Sequence, residues 1–183
     1  MGLIKKLYLL YGEIRGFEID ADFPLNQAAI SGNFSMVRML VEDLGYDVNQ
    51  TKSSNKISPL QRAIRNGNEE VAKYLIKMGA NVNQICLVNE NDKRSFSDHS
   101  LPVALAVSAN LPEITRILLA EKEVKMSEAI KDTLMKRVVA RGYFENLDVV
   151  VKYGEVDIDK IHVVSNLRGS FNEPVANPPT KLI

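Results

Sequence analysis

The residues with the chemistry to react are few and scattered. The chain holds one cysteine, Cys86, and two histidines, His99 and His162. Asp98 beside His99, with Cys86 upstream in the same stretch, supplies the residue types of a thiol nucleophile, an imidazole base and an orienting carboxylate. The spacing does not support that use: neighbours in a loop hold no thiol against an imidazole, and no turn that could form an oxyanion hole accompanies them. They read instead as an apolar cysteine and a solvated loop histidine. His162, between Ile161 and Val163, reads as a packed or half-exposed histidine. Glu90, Asp92 and Asp98 lack the spacing and central glycine of a calcium loop. Asp157 and Asp159 flank Ile158 as in a short amphipathic strand. A lone cysteine excludes an intramolecular disulfide and argues against structural zinc. The glycines fall at element ends rather than in a phosphate-cradling run. No catalytic, cofactor-binding or metal-binding residue is expected, and the chain reads as no enzyme. An enzyme built on the 85–99 stretch is the alternative.

The composition points the same way. Among 183 residues, 23 Lys and Arg balance 23 Asp and Glu, and 45% are apolar against 25% charged. That is globular composition, long enough to bury a sizeable core. The absence of a basic excess argues against coating nucleic acid or an anionic membrane. Leu7 to Tyr11 is too short for a signal-peptide core. No run approaches the ~20 apolar residues of a membrane span. Lys6 stands where a myristoylation signal requires Ser or Thr. A soluble, cytoplasmic and monomeric protein is expected.

What positions the side chains is a repeat. Phe23 to Asn33, Ser58 to Asn68 and Leu101 to Leu111 align, and Thr133 to Tyr143 is a weaker fourth copy. Pro24, Pro59 and Pro102 sit where a helix begins, since a missing N–H costs nothing there. Ser58 and Thr133 can cap those helices. Phe23 and Leu101 cannot, at about 1 kcal/mol each. Ala28, Ala29, Ala63 and Ala106 let neighbouring helices approach closely. Gly32, Gly67, Gly142 and, as the next-best choice, Asn110 supply a left-handed residue to end each helix. A second apolar segment follows every copy, at 36–41, 71–76, 114–119 and 147–151. One such helix pair cannot bury its own apolar face, so the pairs must stack.

The pattern resembles the ankyrin repeat. Ser58-Pro59-Leu60-Gln61-Arg62-Ala63 matches the family's T-P-L-H-x-A opening, and Phe23 to Ala28 and Leu101 to Ala106 match it less fully. Gly79 to Asn83 and Gly45 to Asn49 echo its G-A-D-V-N ending. The resemblance implies an all-α, ankyrin-like helical-repeat solenoid with short hairpin-like inter-repeat loops. Its repeat domain would span 1–164, with an N-terminal cap over 1–22, repeats starting near 23, 58, 101 and 133, and an irregular tail over 165–183. The family's His is replaced by Asn26, Gln61, Ala104 and Lys136, which predicts loss of an inter-repeat hydrogen bond. Asn49 and Asn83 resemble the asparagines that ankyrin asparaginyl hydroxylation targets, but read first as residues bonded across a turn.

The resemblance also implies a protein–protein interaction module that binds through the inner face of its first helices and the hairpin tips. Carried over by position, the exposed sites are Gln27, Ile30 and Ser31; Arg62, Arg65 and Asn66; Leu105, Ser108 and Ala109; and Arg137, Ala140 and Arg141. Segments 24–32, 59–67, 102–110 and 134–142 hold Arg62, Arg65, Lys136, Arg137 and Arg141 but no acid. A basic groove gripping an acidic peptide or loop follows, with Ile30 and Leu105 as anchors. The longer 85–99 loop adds Lys93, Arg94 and Phe96 beside it. An adaptor, an inhibitor, or a pathogen effector in the host cytosol or nucleus would all use such a surface.

Overall fold

The computed structural model describes residues 23–51, 57–85, 101–120, 124, 126–154 and 156. Four helix pairs follow one another along these residues: α1 (Phe23–Ser31) with α2 (Phe34–Arg38), α3 (Pro59–Arg65) with α4 (Glu69–Lys77), α5 (Pro102–Ser108) with α6 (Pro112–Ala120), and α7 (Glu128–Arg141) with α8 (Phe144–Tyr153). No strand occurs among the described residues, so the fold is an all-α repeat stack. First helices touch in the order α1, α3, α5, α7 and second helices in the order α2, α4, α6, α8, giving two layers.

Local chemistry explains each helix. Ser58 and Gln61 form a reciprocal cap on α3: Gln61 N–H donates to Ser58 Oγ at 3.3 Å, and Ser58 N–H donates to Gln61 Oε1 at 2.9 Å. Leu101 gives α5 no side-chain cap, as expected. Phe23 is itself the first residue of α1. The fourth first helix departs from expectation. It starts at Glu128, where Ser127 Oγ accepts from Ile130 N–H at 3.3 Å, so Thr133 lies inside α7 and caps nothing. Ala129, Ile130 and Lys131 carry the helix back to that earlier cap because no proline or glycine interrupts them.

All four first helices end in one way. Gly32, Gly67, Asn110 and Gly142 have φ of 69°, 72°, 55° and 67°. The next residue's N–H then donates to a carbonyl five positions back: Asn33 to Ala28, Asn68 to Ala63, Leu111 to Ala106 and Tyr143 to Val138. The core between the layers combines small first-helix residues (Ala28, Ala29, Ala63, Ala104, Ala106) with Leu40, Leu75, Leu118 and Val150 of the second layer. Each fully buried Leu or Ile contributes about 1.5–3 kcal/mol relative to exposure.

The first pair holds an extra residue. Asn33 to Gly45 is one position longer than Asn68 to Gly79, and the surplus is taken up by a π-helical turn, Met39–Asp43, that continues α2. Beyond Gly45 and Gly79 the chain turns alike. Asp47 Oδ1 accepts from Asn49 N–H and Asn81 Oδ1 from Asn83 N–H, both at 2.9 Å, while Val48 and Val82 are buried.

Candidate partner-binding surface

Of the expected first-helix sites, Gln27, Ser31, Arg65, Asn66, Ala109, Ala140 and Arg141 are exposed, and Ile30, Arg62, Leu105, Ser108 and Arg137 are half-buried. Ser31 Oγ donates to Ala28 O at 3.2 Å, and Asn66 Nδ2 to Arg62 O at 2.8 Å, so both also finish their own helices. Leu105 packs against the core. Lys93, Arg94 and Phe96 lie outside the described residues. So do Cys86, Glu90, Asp92, Asp98, His99, Asp157, Asp159 and His162, together with the proposed cap at 1–22 and the tail at 165–183.

The structure divides the basic residues into two groups. Arg137 and Arg141 of α7 converge on the end of α5. Arg137 Nη1 donates to Ser108 Oγ, and Arg141 Nη1 donates to Ser108 O at 3.1 Å while its guanidinium lies 5.9 Å from the Tyr143 ring centre. Ser108 Oγ in turn donates to Ala104 O at 2.6 Å. These arginines fasten the fourth pair to the third. Arg65 is exposed on α3, and no described carboxylate pairs with it.

The acid-free first-helix face needs amendment. Because α7 starts six residues early, it brings Glu128 and Asp132 with it. Both are met on the same helix, by Lys131 at 3.1 Å and Lys136 at 2.6 Å. The face therefore keeps its positive excess at the arginines, while Lys136 is neutralised locally.

The inter-repeat bond expected to be lost survives at Gln61, whose Nε2 donates to Gln84 O at 2.6 Å in the loop leading to the third pair. A Gln amide offers a donor and an acceptor at once, so one side chain closes the α3 cap and ties the following loop. At the equivalent position of the first pair, Asn26 is one methylene shorter, and its buried Oδ1 has no partner among the described residues. Asn49 also differs from expectation. It bonds the next repeat's turn rather than its own: its Nδ2 donates to Gly79 O at 3.0 Å, and its Oδ1 accepts from Asn81 N–H at 2.6 Å.

Several fasteners escaped the sequence reading. Asn68 Nδ2 donates to Ala29 O and Ile30 O at 2.8 and 2.9 Å. Asn146 Nδ2 donates to Asn110 Oδ1 at 2.8 Å. The available signal was the recurring Gly-Asn pair at 32–33 and 67–68. On the second layer, Tyr74 stands edge-on to Phe34 with ring centres 5.4 Å apart and donates to Glu42 Oε1 at 3.1 Å. Burial, followed by that carboxylate, raises the Tyr74 phenol above its ordinary pKa. The Arg116 fork holds the Glu113 carboxyl below its ordinary value at 2.7 and 3.0 Å, and Lys73 of the preceding pair adds to it at 3.9 Å. Among the described residues no three His, Cys, Asp or Glu side chains cluster as metal ligands, and no helix is long and apolar enough to cross a membrane.

Residues 2–86 match the family model for ankyrin repeats (3 copies). Alpha-latroinsectotoxin-Lt1a and alpha-latrocrustotoxin-Lt1a of Latrodectus tredecimguttatus are each 41% identical to this chain over 66 residues, 36% of this chain and 5% of theirs. Ankyrin repeat and SAM domain-containing protein 6 of Rattus norvegicus is 38% identical over 63 residues, 34% of this chain and 7% of its own length. The chain thus spans only a small fraction of these relatives. The crystal structure of the human ASB11 ankyrin repeat domain superposes with a TM-score of 0.55 at 25% identity, covering 74% of this chain and 56% of that one. Four helix pairs with one shared helix ending, a sequence match over residues 2–86 and a fold match over most of the chain agree on an ankyrin-repeat fold.

Proposed function

We propose that this chain binds a partner protein through its first-helix face and hairpin tips and performs no chemistry of its own. An ankyrin stack is a protein–protein interaction module, and here the partner surface is acidic. The observation that carries this reading is Arg65: exposed, on the first-helix layer, with no described carboxylate beside it. The other charges of that layer are engaged, Lys131 and Lys136 by acids of their own helix and Arg137 by Ser108. A guanidinium left open offers a two-pronged fit to a carboxylate. Arg141, exposed beside Tyr143, extends the same basic character. The short match to two toxins says nothing about toxicity here, since it spans a twentieth of each.

The test is comparative capture with wild-type, Arg65→Glu and Lys73→Glu chains, the last altering the opposite layer. Partners retained by wild type and Lys73→Glu but released by Arg65→Glu, with affinity falling as salt rises, support the reading. Equal capture by all three chains would overturn it.

A further inference from the structure

A covalently reactive step lies at the end of α3. Asn66–Gly67 is the one Asn-Gly step in the chain. The glycine leaves its backbone nitrogen without a neighbouring side chain to shield it, and a five-membered ring can close between that nitrogen and the asparagine Cγ. The other left-handed helix endings lack this pair: Ser31 precedes Gly32, Arg141 precedes Gly142, and Leu111 follows Asn110. Asn66 and Gly67 are both exposed, so water reaches them.

The folded turn holds the reacting atoms apart. Asn66 has φ −98° and ψ 5°, which sets Gly67 N beside Asn66 N and away from the Asn66 side chain. Gly67 N–H donates to Ile64 O at 3.1 Å, and Asn66 Nδ2 donates to Arg62 O at 2.8 Å. Ring closure requires the peptide plane between the two residues to turn, by opposite rotations about Asn66 ψ and Gly67 φ. Glycine accepts such a rotation freely, and nothing lies within 4 Å of a Cβ placed on Gly67. The chain beyond need not move. Asn68 N–H stays on Ala63 O at 2.9 Å, and Asn68 Nδ2 stays on Ala29 O and Ile30 O. Two exposed hydrogen bonds open, and the stack remains folded.

We infer that Asn66 is a deamidation site of the folded protein, released by this local turn of one peptide plane. Gly67 N attacks Asn66 Cγ. The N–Cγ bond forms, the Cγ–Nδ2 bond breaks, and the Gly67 amide proton leaves with Nδ2 as ammonia. Water then opens the ring at either carbonyl, giving an aspartyl or an isoaspartyl residue at position 66. Both products withdraw the Nδ2 donor from Arg62 O and set a carboxylate at the C-terminal end of α3, the unfavourable end of its dipole. The isoaspartyl product also lengthens the main chain by one carbon just before the turn that places Asn68. The tie from Asn68 to the carbonyls of α1 is the contact this strains.

The wild-type full chain tests this when incubated in mildly alkaline buffer across a urea series. Peptide mapping by mass spectrometry follows amide-to-acid conversion at Asn66, and chromatography separates the aspartyl and isoaspartyl peptides. Conversion without urea is expected, at least about tenfold slower than in the unfolded chain, because two net hydrogen bonds must open first. The rate should stay flat over low urea and climb only through the unfolding transition. Three outcomes overturn the proposal: no conversion without urea, conversion as fast in the folded as in the unfolded chain, or a rate that rises with global unfolding from the first addition of urea.

Discussion

Asn68 sits so close to Gly32 that a Cβ on the glycine would stand 2.7 Å from Asn68 Oδ1. The same amide donates to Ala29 O and Ile30 O, so the glycine is needed twice: for its left-handed backbone and for the room it leaves. Gly67 shares the backbone, at φ 72°, but has nothing within 4 Å of a Cβ. Gly67→Ala should cost about 1–2 kcal/mol for the conformation alone. Gly32→Ala should cost about 1–3 kcal/mol more, because displacing Asn68 leaves two carbonyls without their donor. Urea unfolding of both variants checks this, and adding Asn68→Ala to Gly32→Ala should cost less than the sum of the single changes.

Gln61 joins two structural tasks that the family's His suggested only in part. Gln61→Ala removes the acceptor for Ser58 N–H and the donor for Gln84 O together. A loss of about 1–3 kcal/mol in unfolding free energy is expected. Ser58→Ala, which removes the other half of the cap, should cost about 1 kcal/mol.

Much of the fold was legible because its determinants are local. Pro59 after Ser58 starts a helix, Gly67 ends one, and spacing places Leu60, Ile64, Val71 and Leu75 on buried faces without knowledge of neighbours. What was not legible depends on partners far along the chain. Nothing near Ser108 foretells that Arg137 and Arg141 reach it from the next pair. Nothing near Asn49 foretells that its amide serves the turn at Gly79 and Asn81. The start of α7 was misplaced because Thr133 matched the repeat template, whereas Ser127 lies upstream of it and caps equally well. The basic face suffered most from this, since side-chain charge is local but its neutralisation is not.

The two ends of the pH range should act through different pairs. Glu113 has its carboxyl lowered by Arg116 and Lys73, so its contribution is present above the ordinary carboxylate pKa and is lost as pH falls through the folded value. Tyr74 has its phenol raised by burial and Glu42, so its contribution is present below the ordinary phenol pKa and is lost as pH rises through the folded value. Glu113→Gln should flatten only the acid limb of a stability–pH profile, and Tyr74→Phe only the alkaline limb.

Arg65 and Arg141 carry the same charge on the same layer, yet the structure assigns them different duties. Arg65 touches no described acid, and its replacement by Glu should move unfolding free energy by no more than about 0.5 kcal/mol, as expected for an exposed site away from caps and core. Arg141 donates to Ser108 O across the boundary between the third and fourth pairs and stacks on Tyr143. Arg141→Glu should therefore lower thermal stability, with hydrogen exchange quickening in α7 and α8 before α3 and α4, because the junction it fastens lies at one end of the stack. Equal stability of the two variants would show that the Arg141–Ser108 contact fastens nothing.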